Sequence, residues 1–306
     1  MVTRSESRAG RRKKGVAAKP PTADRVRPPK GVSPSNHDVL CRLYASMLKC
    51  RMLAERAHRL SGNQTPGADY DFAIGREAVV IGATLELGPE DTIAVPPRDF
   101  AVHIAKGSSL KCLLSQAVRQ NRIQAPTRAK GGCSRATVSF DPFNLGTGLA
   151  LAHRLEKKRT VVVALCGEET SAPDRWHDAM KFAGVHKLPI IYVKSTSAFN
   201  LRPGKGSPAL EELSFMARDS GFPAIIVDGK DAVAVWRVAQ ESIHRARNGA
   251  GPTLIECDTQ SPYASDPLTQ MEHYMKKRGI WDDEWRRDTA ERIEADIDSA
   301  AAFITK

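Results

Sequence analysis

Two polar segments with chemically useful side chains each follow an apolar run of the sequence. Residues 166–171 read CGEETS and follow the run 160–166, while residues 194–199 read KSTSAF and follow the run 189–194. A carboxylate from one segment and hydroxyl or carbonyl oxygens from the other would suit a hard cation such as Mg²⁺. Neither segment has a phosphate-binding glycine pattern. Local chemistry alone therefore favours a simpler interpretation, in which Gly167 serves a tight turn and the polar side chains are solvated or cap a helix.

The elements that must position these segments form an alternating pattern. Apolar runs indicate strands, and between them lie sequences with helical spacing. The predicted strands are 160–166, 189–194, 224–227 and 253–257, and the predicted helices are 143–157, 174–186, 209–220 and 231–248. This alternation predicts an α/β fold with a doubly wound parallel sheet covered on both faces. In such a sheet ligands bind beyond the carboxyl ends of the strands, where neighbouring strands would bring the two segments together.

Helices flank this predicted sheet at both ends of the chain. Helical patterns cover 35–62, 75–87, 99–106 and 110–119, a loop without period follows over 120–141, and two helices lie within 266–303. The second of these last two, 282–303, is long, charged and expected to be peripheral. We expect residues 37–306 to form a single α/β domain. Within it the small-residue run 146–152 favours a closely packed core or interface helix.

The net charge of +11 is concentrated at the N-terminus. Residues 1–36 hold ten basic and two acidic side chains, so the rest of the chain carries a surplus of only three. This basic, proline-rich tail has no aromatic residue and is predicted to be disordered. It is interpreted as a solvated extension, a contact for an acidic partner or for an anionic polymer such as nonspecifically bound nucleic acid, or an organelle-targeting segment. The whole-chain charge therefore does not indicate a nucleic-acid-binding fold.

The cysteines and the hydropathy pattern favour the cytoplasm. The six cysteines are far apart in the sequence and never form a C-x-x-C pair. Three lie in apolar segments, so reduced core cysteines are expected rather than disulfides or a zinc site. No apolar run approaches the roughly 20 residues that span a bilayer.

The segment 160–199 resembles the diphosphate and metal motif of thiamine diphosphate enzymes. The resemblance is to the alpha subunit of the dehydrogenase component of 2-oxo acid dehydrogenase complexes of the pyruvate, branched-chain and acetoin types. In that family an apolar strand leads into Gly-Asp-Gly, and Lys-Leu-Pro precedes a second strand and Glu-Asn-Asn-x-Tyr. Matching segments occur in the family's order at residues 72–78 (FAIGREA), 98–99 (RD), 130–132 (KGG), 187–189 (KLP), 227–231 (VDGKD) and 249–256 (GAGPTLIE).

The resemblance implies thiamine diphosphate and Mg²⁺ as cofactors and assigns residues to them. Glu168, Ser197 and the backbone carbonyl of Phe199 fall on the metal ligands. Gly167, Glu168 and Glu169 fall on the turn beside the diphosphate, and Arg98 matches a phosphate contact. The resemblance identifies no catalytic residue in this chain.

The chain departs from the family pattern at several of these positions. Glu168 replaces the motif aspartate, Glu169 replaces the second glycine, and Ser197 replaces a metal-binding asparagine. A carboxylate at position 169 would add repulsion beside an anion. Residues 136–141 and 261–267 are shorter than the corresponding family segments. The second of these normally supplies a histidine to the cofactor and carries regulatory serines.

The resemblance leaves three interpretations of function open. The first is an alpha subunit that acts with a beta subunit in an α2β2 enzyme. That enzyme would decarboxylate a 2-oxo acid and pass the acyl group to lipoamide on an acyltransferase core. The second is a cofactor-free pseudoenzyme that keeps the fold and the subunit interface for a scaffolding or regulatory role. The third is altered chemistry using Glu168, Glu169 and His177. His273 is interpreted as a surface residue, and Glu77 either as a helix-start carboxylate or as a neighbour of the cofactor.

Overall fold

A computed structural model describes the chain in seven stretches. They are residues 37–60, 73–96, 101–118, 141–167, 173–196, 210–259 and 266–303. The predicted disordered tail, nearly all of the predicted loop 120–141 and most of both shortened segments lie outside the described residues.

The described residues contain a five-stranded sheet in which all strands are parallel. The strands are β1 (Thr92–Ala94), β2 (Val162–Cys166), β3 (Ile190–Thr196), β4 (Ala224–Asp228) and β5 (Thr253–Asp258), in the order β1-β2-β3-β5-β4. The predicted α/β fold with a parallel sheet is therefore confirmed. The sequence pattern missed β1, and β3 extends two residues beyond the predicted end because Ser195 and Thr196 pair with β5.

Helices surround the sheet and connect its strands. They are α1 (His37–Leu60), α2 (Glu77–Thr84), α3 (Ala101–Ala105), α4 (Leu110–Val118), α5 (Pro142–Leu155), α6 (Pro173–Val185), α7 (Leu210–Asp219), α8 (Ala232–Arg247), α9 (Pro267–Lys277) and α10 (Asp283–Ala302). Each predicted helix has a counterpart among them, with bounds that differ by a few residues. Among the described helices, none is both long and apolar enough to cross a bilayer.

The sheet separates two hydrophobic cores. Val163 and Leu165 of β2 face the core formed with α1–α4 and α8–α10, while Val162 and Ala164 face the core formed with α5, α6 and α7. Side chains alternate across a strand, so a strand buried on both faces must be apolar at nearly every position. This explains why the strands read as continuous apolar runs.

Small residues allow α5 to approach the sheet closely. A Cβ atom added at Gly146 would lie 3.0 Å from Cβ of Ala164. The small-residue run that begins at Gly146 therefore contributes to the core. At the other end of the chain, α10 buries Ile293 and Ile297 in the opposite core and leaves most of its charged residues exposed.

Candidate functional site

The carboxyl ends of three adjacent strands meet at one edge of the sheet. Cys166 at the end of β2 pairs with Lys194 of β3, and Lys194 pairs with Glu256 of β5. Gly167 therefore leaves the sheet beside Ser195. The predicted meeting of the two polar segments at this edge is confirmed for their described residues.

Arg76 lies far from both polar segments in the sequence, but its side chain reaches this edge of the sheet. It lies in a turn before α2 that requires positive φ angles at Ala73 (55°) and Gly75 (81°), a conformation that glycine adopts readily. Its Nη1 atom donates a hydrogen bond of 2.9 Å to Oγ of Ser195. The same atom would lie 3.6 Å from a Cβ atom added at Gly167. The turn thus places the guanidinium group of Arg76 at the carboxyl ends of β2 and β3.

An ion-pair network anchors the start of α2, next to Arg76. Glu77 is fully buried, and its Oε1 accepts a 2.6 Å hydrogen bond from Nε of Arg51 in α1. Arg51 also donates from Nη2 to Asp266, the N-cap of α9, at 2.7 Å. These two carboxylates raise the pKa of Arg51 despite its partial burial. The network ties three helices together, so Glu77 has a structural partner beside the candidate site.

Lys194 is buried beneath the end of β2. Its side chain is on the face of the sheet that packs against α5, α6 and α7, and the residue is only 1% exposed. The Nζ atom donates a 2.6 Å hydrogen bond to the carbonyl oxygen of Gly167. It also lies 5.0 Å from the centroid of the Trp176 ring, within the range of a cation–π interaction. Lys194, which the sequence pattern places at the start of a polar turn, is therefore a buried, positively charged residue.

Glu256 is a second buried charged residue on the same face of the sheet. Its Oε1 accepts a 2.7 Å hydrogen bond from Oγ of Ser214 in α7, and its buried Oε2 has no hydrogen-bond partner among the described residues. Burial raises the pKa of Glu256 from its ordinary 4.5 to about 7. The hydrogen bond from Ser214 and the charges of Lys194 and Arg218 oppose this rise. Glu256 thus titrates near neutral pH inside the protein.

The structure locates only part of the site predicted from the sequence. Gly167 lies at the expected edge, whereas the other predicted site residues lie outside the described residues: Arg98, Glu168, Glu169, Ser197 and Phe199. His177 lies on α6 with its Nδ1 3.6 Å from the carboxylate of Asp178. His273 is exposed on α9, as predicted. The sequence interpretation assigned no role to Arg76 or Lys194. Each is a basic residue inside a segment that had already been singled out, 72–78 and 194–199, and this could have indicated a role at an anion site.

The described part of this edge suits an anion. The guanidinium of Arg76 lies beside Gly167, and the ammonium of Lys194 lies behind it. Guanidinium groups bind phosphate oxygens with strong charge-assisted hydrogen bonds. Arg76 therefore fits the diphosphate of the implied cofactor, and Lys194 adds a buried positive charge behind Gly167. Among the described residues, no group of three His, Cys, Asp or Glu side chains could hold a metal, and the predicted metal ligands lie outside them.

Comparison with known proteins gives a consistent match. A family model described as "Dehydrogenase E1 component" matches residues 44–263, which include β1 to β5 and the edge that carries Gly167.

Several characterised relatives are similar over most of their length. The alpha subunit of 2-oxoisovalerate dehydrogenase from Bacillus subtilis (strain 168) is 30% identical over 294 residues, which cover 84% of this chain and 88% of that protein. The alpha subunit of acetoin:2,6-dichlorophenolindophenol oxidoreductase from the same organism is 29% identical, with 72% of this chain and 69% of that protein covered. The alpha subunit of the pyruvate dehydrogenase E1 component from Rhizobium meliloti (strain 1021) is 27% identical, with 83% and 76% covered.

Proposed function

Since this chain belongs to the dehydrogenase E1 component family, we propose that it acts as the alpha subunit of a thiamine diphosphate-dependent 2-oxo acid dehydrogenase. In this proposal it works with a beta subunit in an α2β2 assembly. The pair decarboxylates a 2-oxo acid and transfers the acyl group to lipoamide. All three relatives described above are named as alpha subunits, which supports a partner of the beta type.

The observation that carries this proposal is the meeting of Arg76, Gly167 and Ser195 at the carboxyl edge of the sheet. Open parallel sheets bind ligands at this edge. The 2.9 Å hydrogen bond between Arg76 and Ser195 shows that a cation spans the ends of β2 and β3. A diphosphate bound after β2 would lie within reach of this cation.

Each residue of the chain has a limited task in the proposed reaction. Arg76 and Arg98 bind the diphosphate, and Gly167 allows the backbone to approach it closely. Glu168, Ser197 and the carbonyl of Phe199 are the proposed Mg²⁺ ligands. When bound, the cofactor would supply a nucleophilic ylid carbon and a thiazolium ring that accepts the electrons released by decarboxylation. The chain itself only binds and orients this group.

A specific observation also supports the alternative, a cofactor-free pseudoenzyme. Arg76 already bonds to Ser195 of its own chain, and the sequence places Glu168 and Glu169 directly after Gly167. Two carboxylates in the turn would repel a diphosphate and attract the nearby guanidinium. In this second candidate function the chain keeps the subunit interface for a scaffolding or regulatory role.

Calorimetric titration with thiamine diphosphate and Mg²⁺ separates the two candidates. The chain is titrated alone and in complex with a co-expressed beta-type subunit. Three forms are compared: wild type, Arg76→Gln and Arg287→Gln, a control on the exposed surface of α10. If Arg76 binds the diphosphate, Arg76→Gln weakens binding about ten- to a hundredfold, the range expected for a lost charge-assisted hydrogen bond, whereas Arg287→Gln changes it little.

Absence of binding in a stable two-subunit complex would contradict the enzyme proposal and favour the pseudoenzyme. Tighter binding by Arg76→Gln than by wild type would contradict the proposed role of Arg76, because it would show that Arg76 closes the site instead of binding the cofactor.

Two further parts of the proposal concern the whole chain. We propose that residues 37–306 form one domain and that residues 1–36 are a separate tail. Deletion of the tail should therefore leave the melting temperature of the protein unchanged. The proposed compartment is the cytoplasm. In support of it, Cys50, Cys166 and Cys257 are buried and form no disulfide among the described residues, as a reducing compartment would keep them.

A further inference from the structure

Lys194 is a buried cation that the proposed function does not yet use. Moving a charged amine out of water costs free energy unless the protein supplies compensating partners. Two of its partners are the carbonyl of Gly167 at 2.6 Å and the ring of Trp176 at 5.0 Å. Glu256 stands opposite Lys194 on the neighbouring strand. A lysine kept inside the protein in this way points to a specific role at the end of β2.

The hydrogen bond from Lys194 restrains the point at which the chain leaves the sheet. Gly167 is the first residue after β2, and its lack of a side chain makes the backbone unusually free to rotate. The peptide unit is planar, so a fixed carbonyl oxygen fixes the orientation of the whole unit that leads into the next residue. Lys194 therefore reduces the freedom of Gly167 without contacting solvent.

The position of this restraint matters because Glu168 and Glu169 follow Gly167 in the sequence. Glycine at the motif position supplies flexibility, whereas a cofactor site needs a backbone that is ordered before the ligand binds. A side chain from β3 that holds the carbonyl from inside the protein would supply that order.

We infer that Lys194 is a positioning residue: it holds the carbonyl of Gly167 in a binding-competent orientation, and with it the peptide unit that leads into the proposed cofactor turn. The inference rests on the proposed function, since it treats the segment after Gly167 as the diphosphate turn. Lys194 does not contact the cofactor in this account, because its ammonium is turned inward under the end of β2.

The test compares Lys194→Met with Tyr192→Phe, a matched control on the same strand and face. Tyr192 is fully buried, and its hydroxyl lies 2.6 Å from Oγ1 of Thr147, so Tyr192→Phe also loses a buried polar contact but leaves Gly167 alone. Hydrogen exchange is measured in the full chain without cofactor. We expect Lys194→Met to exchange at least tenfold faster in the peptide covering residues 166–173 and to stay close to wild type in the peptide covering 253–259. Tyr192→Phe should leave both peptides close to wild type.

The second readout is thiamine diphosphate titration of the complex with the beta-type subunit. Lys194→Met should weaken binding ten- to a hundredfold, whereas Tyr192→Phe should change it less than threefold. Uniformly faster exchange in both peptides, with unchanged affinity after correction for stability, would overturn the inference and leave Lys194 a core residue. If wild type binds no cofactor, the proposed function fails, and the exchange data alone then show whether Lys194 restrains the turn.

A double variant protects the test against a failure to fold. Lys194→Met alone removes a cation that lowers the pKa of Glu256, so the buried carboxyl group loses a favourable charge nearby. Lys194→Met/Glu256→Gln removes both charges, and Glu256→Gln serves as its reference. Faster exchange at 166–173 in the double variant relative to this reference supports the inference, and equal exchange refutes it.

Discussion

Replacement of Glu256 by glutamine should stabilise the protein, and more so as the pH rises. The side chain is fully buried, Ser214 is hydrogen-bonded to one carboxylate oxygen, and the other oxygen has no partner among the described residues. Glutamine has the same shape as the protonated acid but cannot ionise. The substitution therefore removes the cost of a buried negative charge and keeps an acceptor for Ser214.

The magnitude follows from the raised pKa. Burial raises the pKa of Glu256 from 4.5 to about 7, so the folded protein holds a proton that the unfolded chain releases between these two values. Below pH 4.5 both states are protonated and the residue has no pH-dependent effect. As the pH rises from 4.5 to 7 the folded state loses stability. At roughly 1.4 kcal/mol for each pH unit, the full loss is about 3 kcal/mol.

Urea unfolding of wild type and Glu256→Gln between pH 5 and pH 8.5 measures this difference. We expect an advantage for Glu256→Gln of less than about 1 kcal/mol at pH 5, which grows to about 3 kcal/mol above pH 7. Glu241→Gln, on the exposed side of α8, is the control and should change stability by less than about 0.5 kcal/mol. A difference between Glu256→Gln and wild type that stays constant or shrinks with rising pH would refute the reasoning.

Three further substitutions test the packing around the site, each by urea unfolding. Arg51→Met removes the cation that pairs with the buried Glu77 and should cost about 3 kcal/mol, because a buried carboxylate loses its partner. Gly184→Ala should cost roughly 2 kcal/mol, since the added Cβ would lie 2.0 Å from the carbonyl oxygen of Ser220. Its control, Gly148→Ala on α5, meets no atom within 4 Å and should stabilise the helix by about 0.5 to 1 kcal/mol. Asp231→Ala removes the N-cap of α8, which accepts two backbone hydrogen bonds at 3.0 and 2.9 Å, and should cost about 1 kcal/mol.

Each of these predictions has a contradicting outcome. A neutral Arg51→Met would show that Glu77 is not held by this ion pair. Equal effects of Gly184→Ala and Gly148→Ala would mean that the approach of α6 to Ser220 is looser than the structure shows. An unchanged stability of Asp231→Ala would mean that solvent replaces the cap.

The sequence pattern predicted the strands that are buried on both faces and missed the one with little pattern. The strand β2 is a continuous apolar run and β5 is an apolar run interrupted by Glu256, and the polar residues that bound these runs were enough to locate both. The strand β1 has only three residues, so no period can be recognised. It forms because Thr92 donates a backbone hydrogen bond to Val161 and the carboxylate of Asp91 accepts one from the Val161 amide. Such contacts join distant parts of the chain.

The candidate site was predictable in its location but only partly in its composition. The edge of the sheet and the place of Gly167 followed from strand order and the family resemblance. Arg76 was not assigned to the site, because it precedes Gly167 by about ninety positions in the sequence and reaches Ser195 only through the turn before α2. Lys194 was predicted both as the last residue of a strand and as the first residue of a polar turn. Pairing with β5 continues β3 to Thr196, so Lys194 lies within the strand and its side chain is inside the protein.

The sequence by itself determined the fold class, the family and the edge of the sheet where a ligand would bind. These properties depend on local periodicity and on motifs read in order along the chain, both of which are contained in short segments. Only the tertiary structure decided which charges meet at that edge and which are buried. A charged side chain becomes buried when the alternation of side chains along its strand places it under a layer of helices. Lys194 is covered in this way by α6, and Glu256 by α7. That outcome depends on the packing of segments remote in sequence, so no single segment specifies it.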